Sequence, residues 1–180
     1  GIIELKKFVY LISPKKINDS FYPCLDKVLA FGNVKFFQLR LKTSNTNAIV
    51  KIVKNLKKIT KKQKLKLIIN DNYILASEIK VDGCHMGQLD GSVRDAKKKL
   101  KNKILGVTCH NSKIFAKKAI KNKADYLAFG SFFKSKLKPN AIKANLDILR
   151  WARNEVKKPI VVIGGINNLN YKKLIKSGAK

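Results

Sequence analysis

The chain has 180 residues, of which 45% are hydrophobic and 28% charged, a balance typical of one globular domain and not of a disordered segment. Its apolar runs are strand-sized, well short of the ~20 residues that a membrane span needs. Its three cysteines are an odd number without CxxC spacing, which indicates no disulfide framework, so we predict a cytoplasmic protein. The formal net charge of +29 comes almost entirely from lysine, which recurs in every predicted helix. We interpret it as a solvated surface, because base and phosphate recognition favours arginine.

Short apolar runs alternate with lysine-rich amphipathic segments along the chain, the pattern of repeated β-α units that form a parallel sheet. The predicted strands are Phe8–Ser13, Val34–Arg40, Leu65–Asn70, Gly83–His85, Ile104–Thr108, Tyr126–Gly130 and Ile160–Gly164. The predicted helices are Tyr22–Ala30, Thr46–Lys62, Tyr73–Ile79, Val93–Leu100, Ser112–Lys121, Ala141–Glu155 and Asn168–Lys176. We therefore predict an α/β fold, a TIM-type (β/α) barrel in which residues 1–180 form a single domain. A doubly wound sheet is the alternative, but no glycine fingerprint follows the first strand.

The end of the sequence predicts one more strand. Ser177-Gly178-Ala179-Lys180 is similar to the small and polar step that precedes earlier strands, such as Phe31-Gly32-Asn33-Val34. An eighth strand is needed to pair the edges of the first and seventh strands. We therefore expect that the chain is a truncated piece and that its barrel is incomplete at the C-terminus.

Polar residues follow the predicted strands, at the end where β/α barrels carry their active sites. After the second strand, alternation places Gln38, Arg40 and Lys42 on the same side, which suits an anionic substrate. A surface ion pair is the alternative role of Arg40.

Two aspartates follow neighbouring strands, Asp71 after the third and Asp90 after the fourth. Magnesium binds one or two carboxylates together with phosphate oxygens and water, so the pair suggests a Mg²⁺ site for a phosphorylated substrate. The alternatives are that Asp71 caps the helix at Tyr73 and that Asp90 only closes a turn.

Glycine backbone follows the seventh strand, where phosphate often binds in these barrels. The amides of Gly164 and Gly165 are candidates for that role, and a tight turn that needs glycine is the alternative. The polar segment from Ser135 to Pro139 follows the sixth strand and is a candidate lid.

Several phrases, in their order and spacing, resemble those of the thiamine-phosphate synthases over essentially the whole chain. The matching phrases are Gln38-Leu39-Arg40-x-Lys42, Ile68-Ile69-Asn70-Asp71, Asp82-Gly83-x-His85-x-Gly87-Gln88-x-Asp90, Gly106-Val107-Thr108-x-His110, Ala124-Asp125-Tyr126, Phe129-Gly130, Lys138-Pro139 and Ile163-Gly164-Gly165-Ile166. Any one of these phrases alone is weak evidence of the resemblance, but their combination in this order and spacing is specific to the family.

The resemblance implies a transferase that joins 4-amino-2-methyl-5-hydroxymethylpyrimidine diphosphate to a thiazole phosphate and releases diphosphate. It implies that the segment Gln38-Leu39-Arg40-Leu41-Lys42, with Asn70, Thr108 and Lys138, holds the pyrimidine diphosphate. Within that set the implied catalytic residues are Arg40, Lys42 and Lys138. It also implies that Asp71 and Asp90 bind magnesium, and that Ser135, Lys136, Leu137, Gly164 and Gly165 take the thiazole phosphate.

The sequence departs from the family pattern at a few positions. Leu41 stands where the family usually carries an acid, Thr108 stands for a serine, and Leu137 lacks a hydroxyl expected to contact the thiazole phosphate, although Lys136 could supply charge there. The related thiazole tautomerase is one rival interpretation, and a non-catalytic basic module that binds nucleic acid is another. We expect small-molecule substrates, no specific nucleic acid and no membrane partner, and the sequence leaves a homo-oligomer open.

Overall fold

A computed structural model describes residues 8–30, 32–43, 45–132 and 146–163. The described residues fall into two compact units. We call the described part of Lys6–His85 and Lys98–Ile104 the first unit, and the described part of Met86–Lys97 and Leu105–Lys180 the second unit.

The residues that the structure describes contain seven strands, numbered in chain order. They are β1 (Val9–Ile12), β2 (Val34–Leu39), β3 (Lys66–Asn70), β4 (Gly83–Met86), β5 (Ile104–His110), β6 (Tyr126–Phe129) and β7 (Ile160–Val162). In the first unit β1 pairs with β2, β2 with β3, and β3 with β4; in the second, β5 pairs with β6 and β6 with β7. Each of these pairings is parallel, which places the carboxyl ends of paired strands at the same edge.

Helices connect the strands. They are α1 (Phe21–Ala30), α2 (Thr46–Lys62), α3 (Tyr73–Glu78), α4 (Val93–Leu100), α5 (Lys113–Lys121) and α6 (Leu146–Glu155). The side chains of Asn45 and Ser112 cap α2 and α5 by accepting backbone N–H groups that the first turn of a helix leaves unpaired. None of the helices that the structure describes has the length and apolar character to cross a membrane.

Strands β4 and β6 are buried along their whole length and β3 has three buried residues of five, which agrees with the near-continuous apolar runs expected of a parallel sheet covered on both faces. Gly106 in β5 shows how tightly the second unit is packed. The ring of Tyr126 occupies the space that a β-carbon at position 106 would need, so only glycine fits there. Cys109, in the same strand, is also fully buried, and this burial raises the pKa of its thiol to about 12.

The predicted elements that fall within the described residues are confirmed with small shifts, and the predicted first residues of α6, 141–145, lie outside them. Helices α2 and α4 have the predicted bounds, β5 runs two residues further than predicted, to His110, and α5 begins after Ser112 because that residue is its cap. The predicted helix Asn168–Lys176 and the eighth strand lie outside the described residues. The single-domain organisation stays a prediction.

Candidate active site

A cleft of about 210 Å³ opens in the first unit at the carboxyl ends of β2 and β3. Its lining residues are Leu39, Leu41, Lys42, Thr43, Ile49, Ile69, Asn70, Asp71, Asn72 and Leu75. Leu39, Leu41, Lys42, Asn70 and Asp71 are all residues that the sequence assigned to the site. The structure therefore brings together a cation, an amide and a carboxylate beside an apolar wall.

The segment that follows β2 is held by the loop after β1. The backbone N–H of Arg40 donates to Ser13 Oγ at 2.8 Å, and the N–H of Lys42 donates to the carbonyl of Lys15 at 2.9 Å. The Arg40 side chain is half-buried and that of Lys42 is exposed. Neither side chain forms an ion pair with a carboxylate among the described residues, so both cations remain available to an anionic ligand there.

Gln38 differs from the other polar residues after β2. It is only 3% exposed, and its amide Nε2 donates to the hydroxyl of Tyr10, in β1, at 3.1 Å. Because β2 ends at Leu39, the predicted alternation does not continue to Lys42. Lys42 instead lines the cleft together with Leu39 and Leu41, whereas Gln38 contacts β1.

Asp71 has a backbone conformation that sets it apart from the helix that follows. Its φ is +69°, a left-handed conformation that aspartate and asparagine tolerate better than most residues. Its N–H donates to the carbonyl of His85, at the end of β4, at 2.8 Å. The N-cap of α3 is Asn72, whose side chain accepts from the N–H of Leu75 at 2.9 Å. The alternative that Asp71 caps this helix is therefore wrong, and its exposed carboxylate lines the cleft.

The second unit carries Asp90 in the loop between β4 and α4. Asp90 Oδ2 accepts the backbone N–H of Gly87 at 2.6 Å, so Asp90 does close a turn, as the alternative interpretation held, and the turn uses one carboxylate oxygen. The other oxygen, Oδ1, has no hydrogen-bond partner among the described residues. In the same loop the amide of Gln88 donates to the carbonyl of Thr108, in β5, at 2.7 Å.

The role of Gln88 was missed in the sequence, where it appeared only inside a matching phrase. It connects the loop that carries Asp90 with the strand that carries Thr108, both residues assigned to the site. Its position two residues before Asp90 was the available signal. The partner, a backbone carbonyl 20 residues away, could not be read from spacing.

The aspartates match the donor chemistry of magnesium. The described residues contain no cluster of three or more histidine, cysteine, aspartate or glutamate side chains that would hold a metal by itself. Magnesium does not require such a cluster, because it keeps several waters and binds one or two carboxylates together with substrate phosphate. Asp71 and Asp90 each offer hard oxygen ligands of the kind it prefers.

The remaining predicted site residues lie outside the described part of the chain. They are Ser135, Lys136, Leu137, Lys138, Gly164 and Gly165.

A larger cleft, of about 700 Å³, lies at the opposite, amino ends of β3 and β5 in the first unit. Its lining includes Lys66, Lys98, Lys99, Lys101 and Lys103. The ammonium of Lys103 donates to the carbonyls of Ala76 and Ile79, each at 2.6 Å, at the end of α3. Burial lowers the pKa of Lys103, although Asp82 opposes that shift.

Comparisons with known proteins show the family of this chain. The family described as thiamine monophosphate synthase (TMP-TENI) matches residues 9–180. The thiamine-phosphate synthase of Pelagibacter ubique is 52% identical over 172 residues, 94% of this chain and 83% of that protein. That of Erythrobacter litoralis is 36% identical over 181 residues, 98% of this chain and 85% of that protein.

The chain belongs to the thiamine monophosphate synthase family. It is an enzyme, a transferase of thiamine biosynthesis. The solved thiamine phosphate pyrophosphorylase from Pyrococcus furiosus has 29% sequence identity and a TM-score of 0.84, over 97% of this chain and 83% of that one. This likeness confirms the predicted TIM-type α/β fold.

Proposed function

We propose that the enzyme joins 4-amino-2-methyl-5-hydroxymethylpyrimidine diphosphate to a thiazole phosphate, giving thiamine phosphate and diphosphate. The observation that carries the proposal is the cleft at the carboxyl ends of β2 and β3, where Lys42, Asn70 and Asp71 meet. Barrels of this class place their chemistry at this end of the strands. Kinship with synthases over more than four-fifths of their length supports the same reaction.

We assign the diphosphate of the pyrimidine substrate to the cationic residues. Arg40 and Lys42 follow β2 without an ion-pair partner among the described residues, and Asn70 ends β3 as a neutral hydrogen-bonding group. Gln38, Leu39 and Leu41 complete the pyrimidine side, and Thr108 and Lys138 join the set by family resemblance. Because the charge on the leaving diphosphate grows as its bond breaks, we infer that Arg40, Lys42 and Lys138 are the catalytic residues.

On the basis of the family resemblance, we assign magnesium to Asp71 and Asp90. When bound, the ion supplies positive charge to the leaving diphosphate. Asp71 contributes an exposed carboxylate on an unusual backbone conformation, and Asp90 contributes the oxygen that Gly87 does not occupy. Oxygen-only ligands and a phosphorylated substrate are what this ion favours.

We assign the thiazole phosphate to Ser135, Lys136, Leu137, Gly164 and Gly165 on the basis of the resemblance alone. Glycine amides after the seventh strand are a common phosphate site in these barrels. Lys136 supplies charge to this part of the site.

The reaction we propose is dissociative. The bond between the pyrimidine methylene carbon and the diphosphate oxygen breaks first, and the diphosphate leaves with both electrons. The resulting pyrimidine-methyl cation then accepts the lone pair of the thiazole nitrogen, which forms the new carbon–nitrogen bond. Neither step moves a proton, so the chain needs no general base; its residues bind, orient and neutralise charge.

We further propose that residues 1–180 act as one domain in the cytoplasm. Three free thiols, one of them the exposed Cys24, suit a reducing compartment. We propose no specific nucleic-acid partner, because the lysines are distributed over the helices.

A coupled assay tests the proposal. The purified protein is mixed with the pyrimidine diphosphate, thiazole phosphate and Mg²⁺, and thiamine phosphate is followed through its fluorescent oxidation product. We expect product that disappears when the metal is chelated. Isomerisation of the thiazole substrate without coupling would instead identify a tautomerase, and folded protein without either activity would contradict the proposal.

A further inference from the structure

Tyr10 and Gln38 form a pair of side chains across β1 and β2 within the first unit. The register of these strands places Tyr10 opposite Phe36 and Ile12 opposite Gln38. The ring of Tyr10 stacks on that of Phe36, with 5.5 Å between centroids and 13° between planes. Its hydroxyl oxygen accepts the hydrogen bond from Gln38 Nε2 at 3.1 Å. Stacking therefore fixes the ring, and the ring fixes the position of the hydroxyl.

This contact determines which atom of the Gln38 amide remains for a ligand. Gln38 is only 3% exposed, and burying a polar atom of an amide costs free energy unless that atom has a hydrogen-bond partner. Its carbonyl oxygen, Oε1, has no hydrogen bond to any described residue. Among the described residues, every side-chain nitrogen or oxygen that the protein fully encloses has a hydrogen-bond partner. Because Oε1 has none, it must border space that solvent can enter. The amide thus presents an acceptor, with its nitrogen turned toward Tyr10.

We propose that Tyr10 is a positioning residue that holds the Gln38 amide so that Oε1 accepts a hydrogen bond from the exocyclic amino group of the pyrimidine. The inference rests on the proposed function, in which Gln38 contacts this substrate. An amino group is a hydrogen-bond donor and can bond to Oε1. The oxo group of a 4-oxo analogue is an acceptor, so its oxygen and Oε1 would face each other with lone pairs and no hydrogen between them. Tyr10 and Gln38 together therefore select amino over oxo pyrimidines.

The first test compares Tyr10→Phe with Tyr22→Phe. Phenylalanine keeps the ring that stacks on Phe36 and removes only the hydroxyl. Tyr22 is a half-buried tyrosine of α1 whose hydroxyl has no hydrogen bond to a described residue, so its variant is a matched control. We expect Tyr10→Phe to raise the KM for the pyrimidine diphosphate roughly 3- to 10-fold, with kcat changed less than about 2-fold, because the neutral hydrogen bond with Gln38 is lost. Equal behaviour of the two variants would overturn the proposal.

The second test measures selectivity. The ratio of kcat/KM for the amino substrate to that for the 4-oxo analogue is determined in the wild type and in Tyr10→Phe. The intrinsic difference in reactivity of the two pyrimidines cancels in this comparison. A fall of roughly 3- to 10-fold in the ratio is expected once the amide can turn. An unchanged ratio would contradict a role in selectivity.

A double-mutant cycle decides whether Tyr10 acts through Gln38. If it does, adding Tyr10→Phe to Gln38→Ala produces no further loss of kcat/KM, whereas independent roles give additive effects and sink the proposal. The side-chain NH₂ signals of Gln38 in ¹⁵N-edited NMR give a readout without substrate. Their shift in Tyr10→Phe, and not in Tyr22→Phe, would show the hydrogen bond even if the wild type lacked synthase activity, so failure of the proposed function and failure of this inference remain distinguishable.

Discussion

Aspartates lie at both ends of the strands, and their surroundings differ although the residue type is the same. At the amino end in the first unit, Asp82 Oδ2 accepts the N–H of Leu67 at 2.7 Å, and its own N–H donates to the Leu67 carbonyl at 2.8 Å. In the second unit Asp125 makes the same two bonds with Leu105, at 2.8 and 2.7 Å. At the carboxyl end, Asp71 lines a cleft instead. The end of the strand, not the residue type, separates the structural aspartates from the one that we propose binds magnesium.

The lysines show the same contrast within the first unit. At the amino end, the ammonium of Lys103 donates hydrogen bonds to two carbonyls at the end of α3. At the carboxyl end, Lys42 is exposed and has no ion pair with a described residue. Helix C-termini attract cations, which accounts for the lysines of the larger cleft, since α3 and α4 both end beside it. We therefore interpret the larger opening as a structural feature and the smaller one as the candidate active site.

The largest effect on activity should follow a change of carboxylate at the carboxyl end. Asp71→Asn removes one charge while asparagine tolerates the same left-handed backbone. If Asp71 holds the metal ion that neutralises the leaving diphosphate, its loss costs several kcal/mol, so turnover should fall on the order of 100-fold or more. Thermal unfolding should be nearly unchanged. A variant that turned over normally would remove Asp71 from the magnesium site.

Changes at the amino end should instead affect stability. Asp82→Ala leaves the N–H of Leu67, a residue only 1% exposed, without its acceptor, at a cost of about 1–3 kcal/mol in the free energy of unfolding. Asp125→Ala should cost at least as much, because it also loses the 2.7 Å contact with Lys97, although such partly exposed pairs contribute about 1 kcal/mol or less. Urea denaturation measures both values.

Asp82→Asn serves as the control for this pair, since its side-chain oxygen can still accept the bond and a smaller loss is expected. The folded variants should keep their kcat. Loss of activity without loss of stability would show that the amino end takes part in catalysis.

The smallest effect should come from the link between the Asp90 loop and β5. Gln88→Met keeps the length of the side chain and removes the donor to the Thr108 carbonyl. Supporting groups of metal ligands affect affinity, and we expect the Mg²⁺ concentration for half-maximal activity to rise roughly tenfold or less. Gln63→Met, at the end of α2, is the control. Equal Mg²⁺ titrations for the two variants would argue against a positioning role for Gln88.

The elements of this fold could be predicted from the sequence because each strand is a compact apolar run between amphipathic helices. Helix α2 was predicted to the residue, since Asn45 and the lysine-rich end mark its limits. The course of β5 past Thr108 was not predicted. It depends on an irregularity in its pairing with β6 between Thr108 and His110, and the φ of His110 is +53°. Such pairing is a tertiary property that one strand's sequence does not contain.

The candidate site was predictable in position and less so in detail. Residues after β2 and β3 could be assigned because parallel strands end at one edge. The choice of Asn72 over Asp71 as the cap could not be made, because both residue types are good caps and stand side by side. The Gln38 contact with Tyr10 joins residues 28 positions apart, and only the register of β1 on β2 reveals it.

Asn72 caps α3 while Asp71 lines the cleft, and this separation of roles affects how the enzyme can evolve. Since the side chain of Asn72 is the N-cap of α3, we expect that the side chain at position 71 can change without loss of the helix. The left-handed backbone at Asp71 nevertheless admits few residues without strain, chiefly glycine, asparagine and aspartate. Of these only aspartate carries a charge. A genetic selection that randomises position 71 should therefore recover stable proteins with all three residues and active ones with aspartate alone.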